Sequence, residues 1–167
     1  EKRGLCYSIF SQIGAYSDSG LLTVYAGTSG EEVSELSELV IDEIRRAAAE
    51  PHLHGVKLYP AGATTHSDAG VTDLGNVHAV LETMQECGLP LLVHAEVTDP
   101  DVDVFDREAV FIDTVLDPIR RDVPGLRVVM EHITTSNAVD YVTANDTGLG
   151  ATITTHHLVI NRNHILA

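Results

Sequence analysis

The sequence predicts a parallel α/β fold, and three observations predict it. Short apolar runs at Leu21–Tyr25, Gly55–Tyr59, Leu91–His94, Val128–His132 and Gly150–Thr154 read as strands. Amphipathic stretches long enough for a helix stand between them. Three of the runs carry, at or near their C-terminal ends, a residue able to meet a metal ion: Lys57, His94 and His132, at intervals of 37 and 38 residues. Such an interval holds a loop and a helix before the next strand, so the three would lie side by side on neighbouring parallel strands. Polar groups gathered at that end of a parallel sheet mark the chemistry of barrel enzymes.

Each element has its own local reason. In Thr28-Ser29-Gly30-Glu31-Glu32 either hydroxyl has a glutamate three residues on, which starts a helix. Val33, Leu36, Val40, Ile44 and Ala47 then recur at helical spacing until Pro51. After the Lys57 strand and a loop from Pro60 to Gly70, Asp73 can cap a helix with Val77, Val80, Leu81 and Met84 on one face, stopping near Gly88-Leu89-Pro90. A third helix is expected from about Phe105 to Arg121, with Phe111, Val115, Leu116 and Ile119 inward and a turn at Pro124-Gly125. A short helix over Ser136–Ala144 precedes the last strand. About five strands and about four helices result, and strands that are apolar throughout predict a sheet covered on both faces.

Composition narrows the function. The 167 residues are 44% hydrophobic and carry a net charge of −15, which opposes nucleic acid and anionic membranes as partners. No apolar run approaches the roughly 18–20 residues that span a bilayer, so a cytoplasmic protein is expected. Cys6 and Cys87 are too few for a disulfide framework and read as inert thiols. A complete eight-fold barrel takes about 250 residues and rarely fewer than about 200. With about five of eight strands, the chain is expected to be an internal piece of a longer barrel, an open doubly wound sheet being the alternative.

The chemistry of the three strand-end residues favours a metal site. A lysine in an apolar strand needs a partner or a modification. Reaction of its neutral amine with CO2, a form that burial favours, gives a carbamate able to bridge two divalent ions. Neutral imidazoles and a carboxylate-like oxygen are donors that Zn2+ prefers.

Four motifs then resemble one family. Lys57-Leu58-Tyr59-Pro60-Ala61-Gly62-Ala63-Thr64-Thr65, Leu91-Leu92-Val93-His94-Ala95-Glu96-Val97, Phe105-Asp106-Arg107-Glu108 and Glu131-His132-Ile133-Thr134-Thr135 are together similar to the shorter bacterial and fungal dihydroorotases of the amidohydrolase superfamily. The likeness runs from about Leu21 to the end, including Asn161-Arg162-Asn163-His164. It implies a partial (β/α)8 TIM barrel of the metal-dependent hydrolase type, with residues 1–167 as one incomplete domain and residues 1–20 poorly matched. It implies two zinc ions bridged by carboxylated Lys57, with His94 and His132 as further ligands and Thr64 and Thr65 closing over the substrate. The activity implied is zinc-dependent, reversible hydrolysis of L-dihydroorotate to N-carbamoyl-L-aspartate in pyrimidine synthesis, with metal ions activating the water that opens the ring amide. A homodimer is the assembly it suggests.

Departures are as informative. The family's His-x-His pair has no counterpart before Lys57, and its catalytic aspartate would lie beyond Ala167, so no catalytic base is assigned and the isolated chain is expected to be inactive. Gly62 and His66 stand where the family often has asparagine. His156 and His157 are expected to line the cleft without binding metal. Two alternatives stand beside the enzyme: a catalytically dead scaffold keeping a partial site, and another cyclic-amide hydrolase of the hydantoinase or allantoinase kind.

Overall fold

A computed structural model describes residues 8–15, 20–27, 33–63, 71, 74–145 and 147–166. Its centre is a four-stranded parallel sheet in the order β3 (Val56–Leu58), β4 (Leu91–His94), β5 (Val128–Glu131) and β6 (Leu149–Ala151). Helices separate the strands. α1 (Val33–Ala48) precedes β3, and α2 (His78–Cys87), entered through a tight turn at Leu74–Val77, precedes β4. A long helical segment leads to β5, made of α3 (Arg107–Phe111), a π-helical turn (Ile112–Leu116) and α4 (Asp117–Asp122); α5 (Ser136–Ala144) leads to β6. Two short helices, α6 (Thr155–Val159) and α7 (Arg162–Leu166), follow.

The helix ends have the expected causes. α2 stops at Gly88, which takes the left-handed conformation at φ 68° that favours glycine, and its amide returns to the carbonyls of Gln85 and Met84. Arg127 donates to the Gly88 carbonyl, tying this cap to the start of β5. α5 starts at Thr135, whose hydroxyl accepts from the Ala138 amide at 3.2 Å. The expected caps among Thr28–Glu32 and at Asp73 lie outside the described residues.

Two expectations are corrected. Leu21–Tyr25 does not join the parallel sheet. It lies in β2 (Gly20–Gly27), which pairs antiparallel with β1 (Ser8–Ala15) in a separate two-stranded sheet, Leu21 opposite Gly14 and Tyr25 opposite Phe10. An apolar run fixes neither direction nor partner, and an antiparallel neighbour needs only the short connection at 16–19, whereas a parallel one needs a crossover. Four parallel strands are therefore described, not about five.

The second correction concerns burial. Side chains alternate across a strand, and the register sets Val56, Leu58, Leu91, Val93, Val128, Met130 and Leu149 on one face. All but Val56 are buried, in one core with Ile44, Leu81, Met84, Phe111, Leu116, Ile119 and Ala138 from the helices. The opposite face carries Lys57, Leu92, His94, Val129, Glu131 and Gly150, and its side chains are only part-buried. A Cβ built on Gly150 meets nothing within 4 Å. Among the described residues the sheet is closed on one face, because the covering helices all return to the same side. No described helix is long and apolar enough to cross a membrane.

Candidate functional site

The half-buried face brings the strand-end residues together. In register, Lys57 is level with Leu92 and Val129, and His94 is level with Glu131 one step nearer the strand ends. His132 follows directly as β5 ends. His94 Nδ1 and His132 Nε2 face each other at 3.4 Å, with the rings edge to face at 4.9 Å between centroids.

Lys57 finds a partner that the sequence did not reveal. Its side chain is only 11% exposed, and its ammonium donates to Glu131 Oε2 across the central strand. The ion pair satisfies a charge that an apolar strand could not hold alone. Glu96, also unassigned from sequence, accepts from His94 Nε2 at 2.9 Å and takes an ion pair from Arg107 at 3.3 Å. A carboxylate on Nε2 holds the proton there and leaves the Nδ1 lone pair turned toward His132.

His132 is held in an uncommon backbone state. Its φ of 45° is left-handed for a residue with a Cβ. Its amide donates to Thr152 Oγ1 at 2.8 Å, and the next amide, of Ile133, donates to the Thr152 carbonyl at 3.0 Å. Burial holds its imidazole below the ordinary value of 6.5, and the charges of Lys57 and His94 add to that effect. The ring is therefore kept neutral, the form with a lone pair to donate.

The donor set can be tested against a cation. Two nitrogens bound to one tetrahedral zinc at about 2.0–2.1 Å stand about 3.3–3.4 Å apart. The His94–His132 separation of 3.4 Å matches that edge. Among the described residues, no three His, Cys, Asp or Glu side chains form a cation site by themselves. The third group here is Lys57, which opposes a cation as an ammonium and would supply oxygen donors as a carbamate. The residues fit a metal on that condition.

Thr64 and Thr65 lie outside the described residues. His156 and His157 pack on each other at 4.3 Å, His156 also meeting Thr154 Oγ1 at 3.1 Å. Arg162 stacks over the Phe105 ring at 5.1 Å. Cys87 is a free thiol packed against the core, and Cys6 lies outside the described residues.

Comparisons with known proteins give the family and the fold. The amidohydrolase family model matches residues 34–149, more than two thirds of the chain and the whole run from α1 to the start of β6. A model of the peptidase M16 inactive domain matches residues 1–53, a smaller part that includes the β1–β2 hairpin. The dihydroorotase of Roseobacter denitrificans is 71% identical over 126 residues, covering 75% of this chain and 37% of that protein. The dihydroorotase of Ralstonia nicotianae is 56% identical over 156 residues, covering 92% of this chain and 45% of that protein. Among solved structures, dihydroorotase from Saccharomyces cerevisiae in complex with 5-fluoroorotic acid superposes with a TM-score of 0.66 at 34% identity, covering 74% of this chain and 38% of that one. Dihydroorotase from Campylobacter jejuni gives 0.63 at 36% identity, over 79% of this chain and 36% of that one. The chain spans less than half the length of these relatives.

Proposed function

The chain belongs to the amidohydrolase family, and from that premise we propose that it supplies the strand-end metal ligands of a dihydroorotase, interconverting L-dihydroorotate and N-carbamoyl-L-aspartate. The observation that carries the reading is the His94–His132 nitrogen pair at a zinc-edge separation, beside a part-buried lysine on the next strand. The family implies a metal cofactor. Lys57 as a carbamate, His94 and His132 would hold zinc, with Lys57 bridging two ions in a protein of the relatives' full length. Bound there, the metal supplies Lewis acidity and a water acidic enough to act near neutral pH.

The chain's own residues have distinct tasks on this reading. Glu96 fixes the tautomer of His94, and burial keeps His132 neutral, so both rings present lone pairs. Glu131 holds the Lys57 ammonium before it loses its proton and the neutral amine takes up CO2. A carbamate would set a second anion against Glu131, which like-charge repulsion opposes until cations neutralise the pair. Carboxylation and metal loading are then one coupled event. Thr64 and Thr65 would close on the substrate and exclude water. The relatives named above are dihydroorotases, which favours this ring over the hydantoinase or allantoinase alternative.

The test is metal content and dihydroorotate turnover in a protein of the relatives' length carrying this sequence. Lys57→Ala should lose the bridging metal and lower kcat by more than about a hundredfold. Two tightly bound zincs retained in Lys57→Ala would refute the assignment.

A further inference from the structure

The Phe105-Asp106-Arg107-Glu108 motif opens α3, and the structure gives its charged pair a task at the site. Glu108 is a buried carboxylate, 9% exposed, on the first turn of α3. It accepts from the Thr134 amide at 3.0 Å, the Thr135 amide at 2.9 Å and the Thr135 hydroxyl. These donors lie two and three residues after His132. Next to it in sequence, Arg107 holds Glu96 by its guanidinium, and Glu96 holds His94. One turn of helix thus reaches the supports of both imidazoles.

We propose that Arg107 and Glu108 are positioning residues that together set the angle between the His94 and His132 rings. The inference rests on the metal reading above. The segment leaving β5 is gripped from two sides: Thr152 takes the amides of His132 and Ile133, and Glu108 takes those of Thr134 and Thr135. Between these grips His132 sits in a left-handed conformation, so releasing either one lets its ring swing. A buried carboxylate satisfied by backbone amides and a hydroxyl is a charge-assisted clamp, stronger than neutral bonds of the same number. The Thr135 hydroxyl also caps α5, which anchors the clamp to a further element. Arg107 acts on the other ring through Glu96, and its fork also lies against the Val102 carbonyl at 3.4 Å, which limits where the guanidinium can go.

The experiment replaces zinc by Co2+ in a protein of the relatives' length and reads the visible absorption bands, which depend on the angles among the ligands, together with metal affinity and unfolding midpoint. Glu108→Gln keeps the shape and one acceptor but cannot take all three donors. It should weaken metal binding about 10–100-fold and shift the Co2+ bands in folded protein. Arg107→Gln, at a side chain 27% exposed, should shift the same bands through Glu96 and His94, and it alone decides should Glu108→Gln not fold. Unchanged bands and affinity in the folded variants overturn the positioning role. His132→Ala separates the two levels: if it also leaves metal binding unchanged, the metal reading itself has failed, and if it abolishes binding while the glutamine variants do nothing, only this inference falls.

Discussion

The two faces of the parallel sheet are made from the same four strands and do opposite work. On the helix side Val93 and Met130 have no exposed surface and lie among Met84, Phe111 and Leu116. One residue along each strand, Leu92, Val129 and Glu131 are part-buried, on the face that carries Lys57 and His94. Alternation at a period of two lets a strand divide stability from chemistry without compromise between them. Charged groups tolerated on one face would be ruinous on the other.

The comparison is broken most severely within a single strand. Leu91→Ala, at a side chain 1% exposed, should cost about 2–5 kcal/mol, while Leu92→Ala next to it should cost about 1 kcal/mol. Urea unfolding of the two variants measures the difference, and equal losses would mean that both faces are equally closed.

A smaller effect comes from His132 and pH. Its folded value lies below the ordinary 6.5, so as acid is added the unfolded chain takes up the proton first. The group's contribution is intact above about pH 6.5 and is lost as the pH falls from there through the lowered folded value. Unfolding midpoints measured between about pH 7.5 and about pH 5.5 should drop in the parent and drop less in His132→Asn. Identical acid profiles would remove the desolvated imidazole from the account. The smallest expected change is Gly150→Ala, which adds a methyl to open space on the half-buried face and should alter stability by less than about 1 kcal/mol. A larger loss would reveal that this face is packed.

Much of this was legible in the sequence, and the residues explain which parts. α5 starts where its pattern of Ser136–Ala144 puts it, because the Thr135 hydroxyl caps its first turn. α1 and the helical segment from Arg107 to Asp122 follow their apolar spacing, with Phe111, Leu116 and Ile119 buried as expected. The strands were readable as apolar runs. The parallel order of β3, β4 and β5 follows from the 37- and 38-residue intervals, whereas nothing local gives Leu21–Tyr25 its antiparallel partner β1. The same limit hid the carboxylates. Glu96, Glu108 and Glu131 are three among 25 acidic residues, and their tasks depend on register and on a helix docking across the strand ends. Glu131 meets Lys57 only because β4 lies between their strands, a fact of topology that local spacing does not contain.

The left-handed backbone at His132 has a consequence for how variants at this position would be selected. Glycine or asparagine adopts that conformation at less cost, by about 1 kcal/mol relative to an ordinary side chain. A library sorted for thermal endurance should therefore discard the imidazole, whereas one sorted for metal retention should keep it. Position 132 is where those two sorts would return opposite winners.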